Sequence, residues 1–333
     1  MKALADSRAN KYVLAAVVLI ALVMPQLITS PSIMQIMILT LFYAYLTSSW
    51  NLVGGFAGVL PMGHSAFIGI GAYTSTILYL HYGLSPWLGM LVGGVLAALV
   101  GIIIGIPTLK LRGAYFALAT IAFGEGIRVL VENVDKIGPL EVNGPRGLLI
   151  NLAGNSLIDY QFTNKASYYY IILVLLLIIL AVTYLLMRSK IGYYLSAGGE
   201  EPDAAAALGI NVPRYKVMAM AISCFFTALA GTFYAQMFLY FYPKSILGLD
   251  MSFEIAFIAL IGGRGTILGP VLGALLLRPL NELTRMYLGG IFPGMHLVIF
   301  GLILILVMVF QPRGIQEPLV RLYRRILYRI HGS

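Results

Sequence analysis

Apolar runs of about twenty residues, long enough to cross a bilayer as helices, recur from one end of the chain to the other. Short stretches rich in Gly, Pro, Lys and Arg separate them. The runs occupy 12–28, 33–53, 61–80, 87–107, 113 onward, 168–187, 217–238, 253–261, 266–288 and 291–310. Read as spans, they predict an all-α, polytopic transmembrane helical bundle of about ten crossings. The run at 253–261 is short, and a count of eight fits if 253–288 is partly re-entrant. Lys2, Arg8 and Lys11 before the first run resemble the opening of a signal peptide. A second run begins almost at once with no exported domain between, so an uncleaved span is expected. Two polar interruptions are long. Residues 132–167 contain Gly138-Pro139 and Gly144-Pro145 and read as an extracytoplasmic loop, and 188–216 holds an alanine-rich segment.

Composition sharpens this picture. Apolar residues make up 60% and charged residues 11%, with a mean hydropathy of +0.90, whereas soluble chains carry about a quarter charged residues. The net charge of +9 does not call for nucleic acid, because membrane proteins collect Lys and Arg in cytoplasmic loops. With the N-terminus inside, Lys110, Arg112, Arg188, Lys190, Arg214, Lys216 and Arg264 fall on the inner side, as do the arginines from Arg313 onward. Arg128, Lys136, Arg146, Lys165, Lys244, Arg278 and Arg285 fall outside or near that face. This bias puts both termini and the segment 188–216 in the cytoplasm. Cys224 is the only cysteine and lies in an apolar run, which suits a packing role and excludes an intrachain disulfide.

The alanine-rich segment has helix punctuation. Pro202 suits a first turn, and Glu200, Glu201 and Asp203 suit the positive end of a helix dipole. Ala204, Ala205, Ala206 and Ala207 propagate the helix and Gly209 stops it in a left-handed conformation. About two turns of helix are marginal alone, so this one needs a surface to lie on, and its small side chains suit a groove. After the last span, Leu319, Leu322, Tyr323, Ile326, Leu327 and Ile330 share a face opposite Arg321, Arg324, Arg325 and Arg329. That pattern suits an interfacial helix on anionic membrane lipid, or a fraying tail.

Glycine marks the other candidate positions. Gly63, Gly69 and Gly71 with Ala66 remove bulk, which suits either close helix packing or a solute beside backbone. His64 at a helix start suits a buried pore position or an ordinary hydrogen-bonded histidine. Gly262 and Gly263 break the eighth run, and Gly265, Gly269 and Gly273 follow at every fourth residue, predicting one bare helix face. The two Gly-Gly strings, at Gly54 and Gly262, each follow an inward run and suit an internal repeat. Glu125 within a span, one turn before Arg128, is costly at membrane depth. The pair is either functional or structural near the outer interface.

Several strings resemble one family. Asp203-Ala204-Ala205, three residues and Gly209 resemble the EAA loop of ABC-importer permeases, with Asp in place of Glu. Ala206 to Asn211 and Arg214-Tyr215-Lys216 are similar to the branched-chain amino-acid permease subfamily. So are Gly-His-Ser-Ala-Phe-Ile-Gly-Ile-Gly-Ala-Tyr at 63–73, Gly113 to Glu125, Gly144-Pro145-Arg146-Gly147, 262–270 and Gln311-Pro312-Arg313-Gly314-Ile315. The resemblance covers nearly the whole chain. It implies a permease domain over 1–316, with a cytoplasmic coupling loop at 188–216, and a basic amphipathic helix at 317–333. It further implies a second permease subunit, two ABC ATPase subunits, a periplasmic substrate-binding protein and residence in a bacterial inner membrane. The implied coupling residues are Glu200, Glu201, Asp203, Ala204, Ala205 and Gly209. The implied cargo is branched-chain, hydrophobic amino acids, with urea or short amides as the alternative.

No Gly-Lys-Ser/Thr phosphate loop, metal-spaced His/Cys cluster or nucleophile elbow occurs in the chain. A transport subunit without cofactor, metal or enzymatic activity is therefore expected, with ATP hydrolysis on its partners. A self-sufficient secondary transporter or channel would instead use mid-membrane carboxylates, for which Glu125, Glu254 and Glu282 are the candidates.

Overall fold

A computed structural model describes residues 8–28, 30–152, 154–288, 294–311, 314–318 and 321. Each apolar run is helical over most of its described residues. The helices are α1 (Arg8–Leu27), α2 (Pro31–Asn51), α3 (Ser65–Tyr82), α4 (Pro86–Thr108), α5 (Ala114–Glu132) and α6 (Lys165–Arg188). They continue with α7 (Lys190–Glu200), α8 (Pro202–Ala207), α9 (Val212–Phe238), α10 (Pro243–Leu247), α11 (Leu249–Gly263), α12 (Gly269–Leu288) and α13 (Met295–Phe310). Among the described residues, six stretches are long and apolar enough to cross a membrane: Pro31–Phe56, Pro86–Thr108, Ala114–Glu132, Lys165–Arg188, Val212–Phe238 and Pro243–Gly263. The expected C-terminal amphipathic helix lies almost wholly outside the described residues, as do Pro312 and Arg313 of the closing motif and the start of the tenth run.

Local chemistry explains the helix ends. Pro31, Pro86 and Pro202 occupy first turns, where a missing N–H costs nothing. The Asn164 side chain accepts from the Ala166 N–H at 2.9 Å, and that of Asn211 from the Arg214 N–H at 3.2 Å, each satisfying an orphan donor.

The centre of the bundle is α2, which has 89% of its apolar window buried and packs against α6, α9, α11 and α12. It ends in a single π turn, Leu52–Phe56. A second layer forms where α3, α4 and α9 meet through small residues. A side chain on Gly71 would strike the Ala228 carbonyl, and one on Gly231 the Ile68 carbonyl. Gly101 of α4 faces Cys224, whose buried thiol packs as the sequence suggests.

The 132–167 segment carries two short antiparallel pairs. Strands β1 (Lys136–Ile137) and β2 (Leu140–Glu141) form a hairpin, while β3 (Leu148–Leu149) pairs with β4 (Tyr240–Phe241) just after α9. Tyr160 lies fully buried under Trp87 with ring centroids 4.2 Å apart. Burial pushes its hydroxyl well above the ordinary tyrosine value.

Candidate functional site

The alanine-rich segment is a two-helix module. Glu200 ends α7, and Glu201, with non-helical backbone, separates the helices, so Pro202 and Asp203 begin α8. This corrects the expectation that Glu200, Glu201 and Asp203 all sit at the positive end of one helix: Gly198, Gly199 and Glu200 belong to the preceding helix. Gly209 stops α8 with φ +84°, a left-handed conformation that disfavours any side chain. Ala205 faces inward at 3% exposure, while Leu208 is 83% exposed and Ala204, Ala206 and Ala207 are also uncovered. Asp203 pairs with Arg112 of the α4–α5 turn at 2.8 Å. Both side chains are largely in solvent, so the pair aligns α8 more than it stabilises it. Behind the module, Gly199 lies against the backbone of Phe56, Ala57 and Gly58.

The glycines at the α11–α12 turn divide into two roles. Gly262, Gly269 and Gly273 form a close crossing in which a side chain on Gly262 would strike the Gly269 carbonyl, and one on Gly273 the Ile258 carbonyl. Gly263 sits beside Gln316. Gly265 is not on the helix face predicted for it. The α12 helix begins only at Gly269, and Gly265 lies in the preceding turn with φ +71°, beside Gly55. A run of glycines every fourth residue implies a shared face only once the helix has started.

The α3 candidates also separate. Gly63 packs its backbone on Thr120 and Gly124 of α5, Gly69 meets Leu247 of α10, and Gly71 meets α9. His64 is fully buried at the α3 start, with Nε2 2.8 Å from Ser223 Oγ. The Ser223 hydroxyl donates to the Ser49 carbonyl at 2.7 Å. The histidine is thus hydrogen-bonded through Nε2, while its Nδ1 is buried without a partner among the described residues.

Two ion clusters lie within the helices. On α5, Arg128 donates to Glu125 at 2.6 Å and to Glu132 at 2.6 Å; the second acid went unremarked in the sequence although its i,i+4 spacing signals it. The other cluster was not read from the sequence as a unit. Arg278 of α12 bonds Glu254 of α11 and, at 2.6 Å, Glu282. Tyr43 of α2 donates to Glu254 at 2.7 Å, and its ring stacks under the Arg278 guanidinium at 4.2 Å. Glu254 and Glu282 are thus tied into a buried, cation-matched network. Free ion-coupling carboxylates would look different.

The family described as branched-chain amino acid transport system / permease component matches residues 32–308. The high-affinity branched-chain amino acid transport system permease protein LivM of Escherichia coli (strain K12) is 30% identical, over 92% of this chain and 75% of that protein. The nucleoside ABC transporter permease protein NupC of Lactococcus lactis is 26% identical over 71% of this chain and 76% of its own. A probable branched-chain amino acid transport permease protein LivM of Methanocaldococcus jannaschii is 22% identical over 84% of this chain and 92% of its own.

Proposed function

The chain belongs to the branched-chain amino acid transport system permease component family, a family of multi-pass membrane permeases of ABC transporters, and from that premise we propose what it carries and how it is driven. It translocates branched-chain, hydrophobic amino acids across a bacterial inner membrane. Its partners are a second permease subunit, two ABC ATPase subunits and a periplasmic substrate-binding protein. In this reading the chain crosses the bilayer about ten times with both termini in the cytoplasm, an orientation that the positive-inside bias of Lys and Arg supports. Residues 1–316 form the permease domain, and 317–333 a basic helix on the lipid surface.

The observation that carries this reading is the exposed helix α8. Its outer face is Ala204, Ala206, Ala207 and Leu208, and Leu208 is 83% exposed. It is held from behind by Ala205 and from the side by Arg112. A smooth, oriented helix of this size on the cytoplasmic side suits insertion into a groove of an ATPase, whose closure then rocks the spans between inward and outward access.

The uncovered face of α5 is the proposed solute path. Only 17% of its apolar window is buried, yet it carries the Glu125–Arg128–Glu132 cluster. Helices α4 and α6 are also thinly covered, at 39% and 33%, but their interiors hold no charge, as a lipid-facing surface requires.

The test is ATP-driven uptake in vesicles holding the permease pair, the ATPases and the binding protein. Labelled leucine should enter, and Leu208→Cys should cross-link to the ATPase. Gly209→Val, or bulky replacements at Ala204 or Ala205, should leave ATP hydrolysis running while uptake falls. Full uptake by those variants with no cross-link from any loop position would favour a self-sufficient transporter. The nucleoside relative makes a second solute class worth measuring, so competition by nucleosides, and by urea or short amides, decides the cargo.

A further inference from the structure

The two Gly-Gly strings, far apart in sequence, meet in the fold. Asn51, at the end of α2 and 1% exposed, lies between them. Its Nδ2 donates to the Thr266 carbonyl at 2.8 Å, and its Oδ1 accepts from the Gly265 N–H at 2.9 Å. A primary amide presents a donor and an acceptor on one short stem, which neither an ionised carboxylate nor an apolar isostere does. A side chain on Gly55 would strike Asn51 Oδ1 and the Gly265 amide, so backbone lies directly on backbone there. Thr47 Oγ1 reaches the Pro270 carbonyl at 3.3 Å, and the Ile315 N–H donates to the Ile261 carbonyl at 2.8 Å, closing two further sides of the turn.

The other face of the same π turn carries α7. A Cβ on Gly199 would lie 3.1 Å from the Ala57 carbonyl carbon and 3.3 Å from the Gly58 nitrogen. From α7 through the π turn to the α11–α12 turn, the contacts are therefore close backbone approaches bridged by one short buried amide. Long side chains would absorb a small displacement by changing rotamer; close-packed backbone transmits it. Single π turns within helices are frequent at functional positions.

We infer that this double glycine turn is the joint through which movement of α7–α8 reaches α11 and α12, with Asn51 as its positioning residue. The inference rests on the reading of α8 as the ATPase-docking helix. It also explains why the glycine strings sit at the same end of their helices without requiring them to be relics of a repeat.

The experiment uses the full complex in lipid vesicles. Asn51→Asp keeps the acceptor for Gly265 but sets a carboxylate oxygen against the Thr266 carbonyl; Asn51→Ala removes both bonds. Both variants should assemble and hydrolyse ATP, yet move roughly tenfold less solute per ATP, a loss within the usual range of coupling between linked sites. The KM for solute should not change. The Leu208 cross-link to the ATPase should persist in the variants; its absence from the wild-type complex would mark failure of the docking reading instead. Solute per ATP at the wild-type value, or uptake and hydrolysis falling together in step with lost complex, overturns the joint.

A second measurement leaves Asn51 intact. Spin labels are placed at Leu208, Leu268 and Leu157, which are 83%, 45% and 74% exposed, while buried Cys224 stays unlabelled. The Leu208–Leu268 distance should hold constant on nucleotide binding while Leu208–Leu157 changes. A Leu208–Leu268 change as large as the other overturns the joint.

Discussion

Helices α5 and α12 carry the same local device and use it differently. Each places an arginine beside a glutamate four residues on, and each adds a second carboxylate. In α5 all three members, Glu125, Arg128 and Glu132, belong to one helix, with side chains 30%, 23% and 27% exposed. In α12 the second carboxylate comes from α11 and Tyr43 joins from α2, leaving Arg278 and Glu282 side chains 10% and 8% exposed. The α12 cluster ties three helices together and is buried. The α5 cluster contributes little to how the helices are arranged, so its presence on a thinly covered span calls for a reason outside this chain's own packing. Glycines repeat the contrast. Gly269 and Gly273 meet α11 backbone, whereas on α5 only Gly124, on the covered face, meets backbone, that of Gly63, and a side chain on Gly126 would meet nothing within 4 Å.

The largest effect is expected from Arg278→Ala. It leaves buried Glu282 and half-buried Glu254 without their central cation, with Arg285, 3.0 Å from Glu282, the remaining cation beside them among the described residues, and should destabilise by about 3–5 kcal/mol. Thermal unfolding of the purified chain in detergent measures this, and a loss no larger than for the matching α5 variant would erase the distinction.

Next in size is Gly269→Leu. Its side chain would enter the Gly263 carbonyl and the Thr266 hydroxyl, so a loss of about 1–3 kcal/mol is expected from overpacking. Normal expression with normal uptake would mean that the crossing yields easily.

Arg128→Ala should cost roughly 1 kcal/mol or less, because the cluster is partly solvated. If α5 borders the solute path, uptake should fall by more than that stability loss explains. Glu125→Gln, which leaves Arg128 with Glu132 alone, should lower uptake as well; wild-type behaviour of both variants would reduce the pair to a solvated helix end.

The smallest effect on the isolated chain belongs to Gly126→Leu. With open space at the position and a better helix former in place, stability should hold or rise by up to about 1 kcal/mol. A variant equally stable alone but unable to assemble or transport would show that the α5 face is occupied in the working complex.

What the sequence determined by itself was local. Apolar runs of membrane length specified the helices, because each residue within a span carries its own transfer free energy and the backbone must satisfy itself within the segment. Pro202 and Gly209 delimited α8, since missing donors and left-handed backbone are properties of single residues. Glu125 and Arg128 were paired by helical spacing alone. Tertiary structure decided everything that required two distant segments to meet. Arg278 with Tyr43, Asn51 with the Gly265–Thr266 turn, Asp203 with Arg112 and Gly199 with Gly58 have no periodicity linking them. Nothing in the run 33–53 marks Asn51 as a bridge to the turn at Gly265, 214 residues away. Only the fold could turn Gly265 out of the helix face, because whether α12 starts at Thr266 or Gly269 is settled by what Asn51 and Gly55 hold in place.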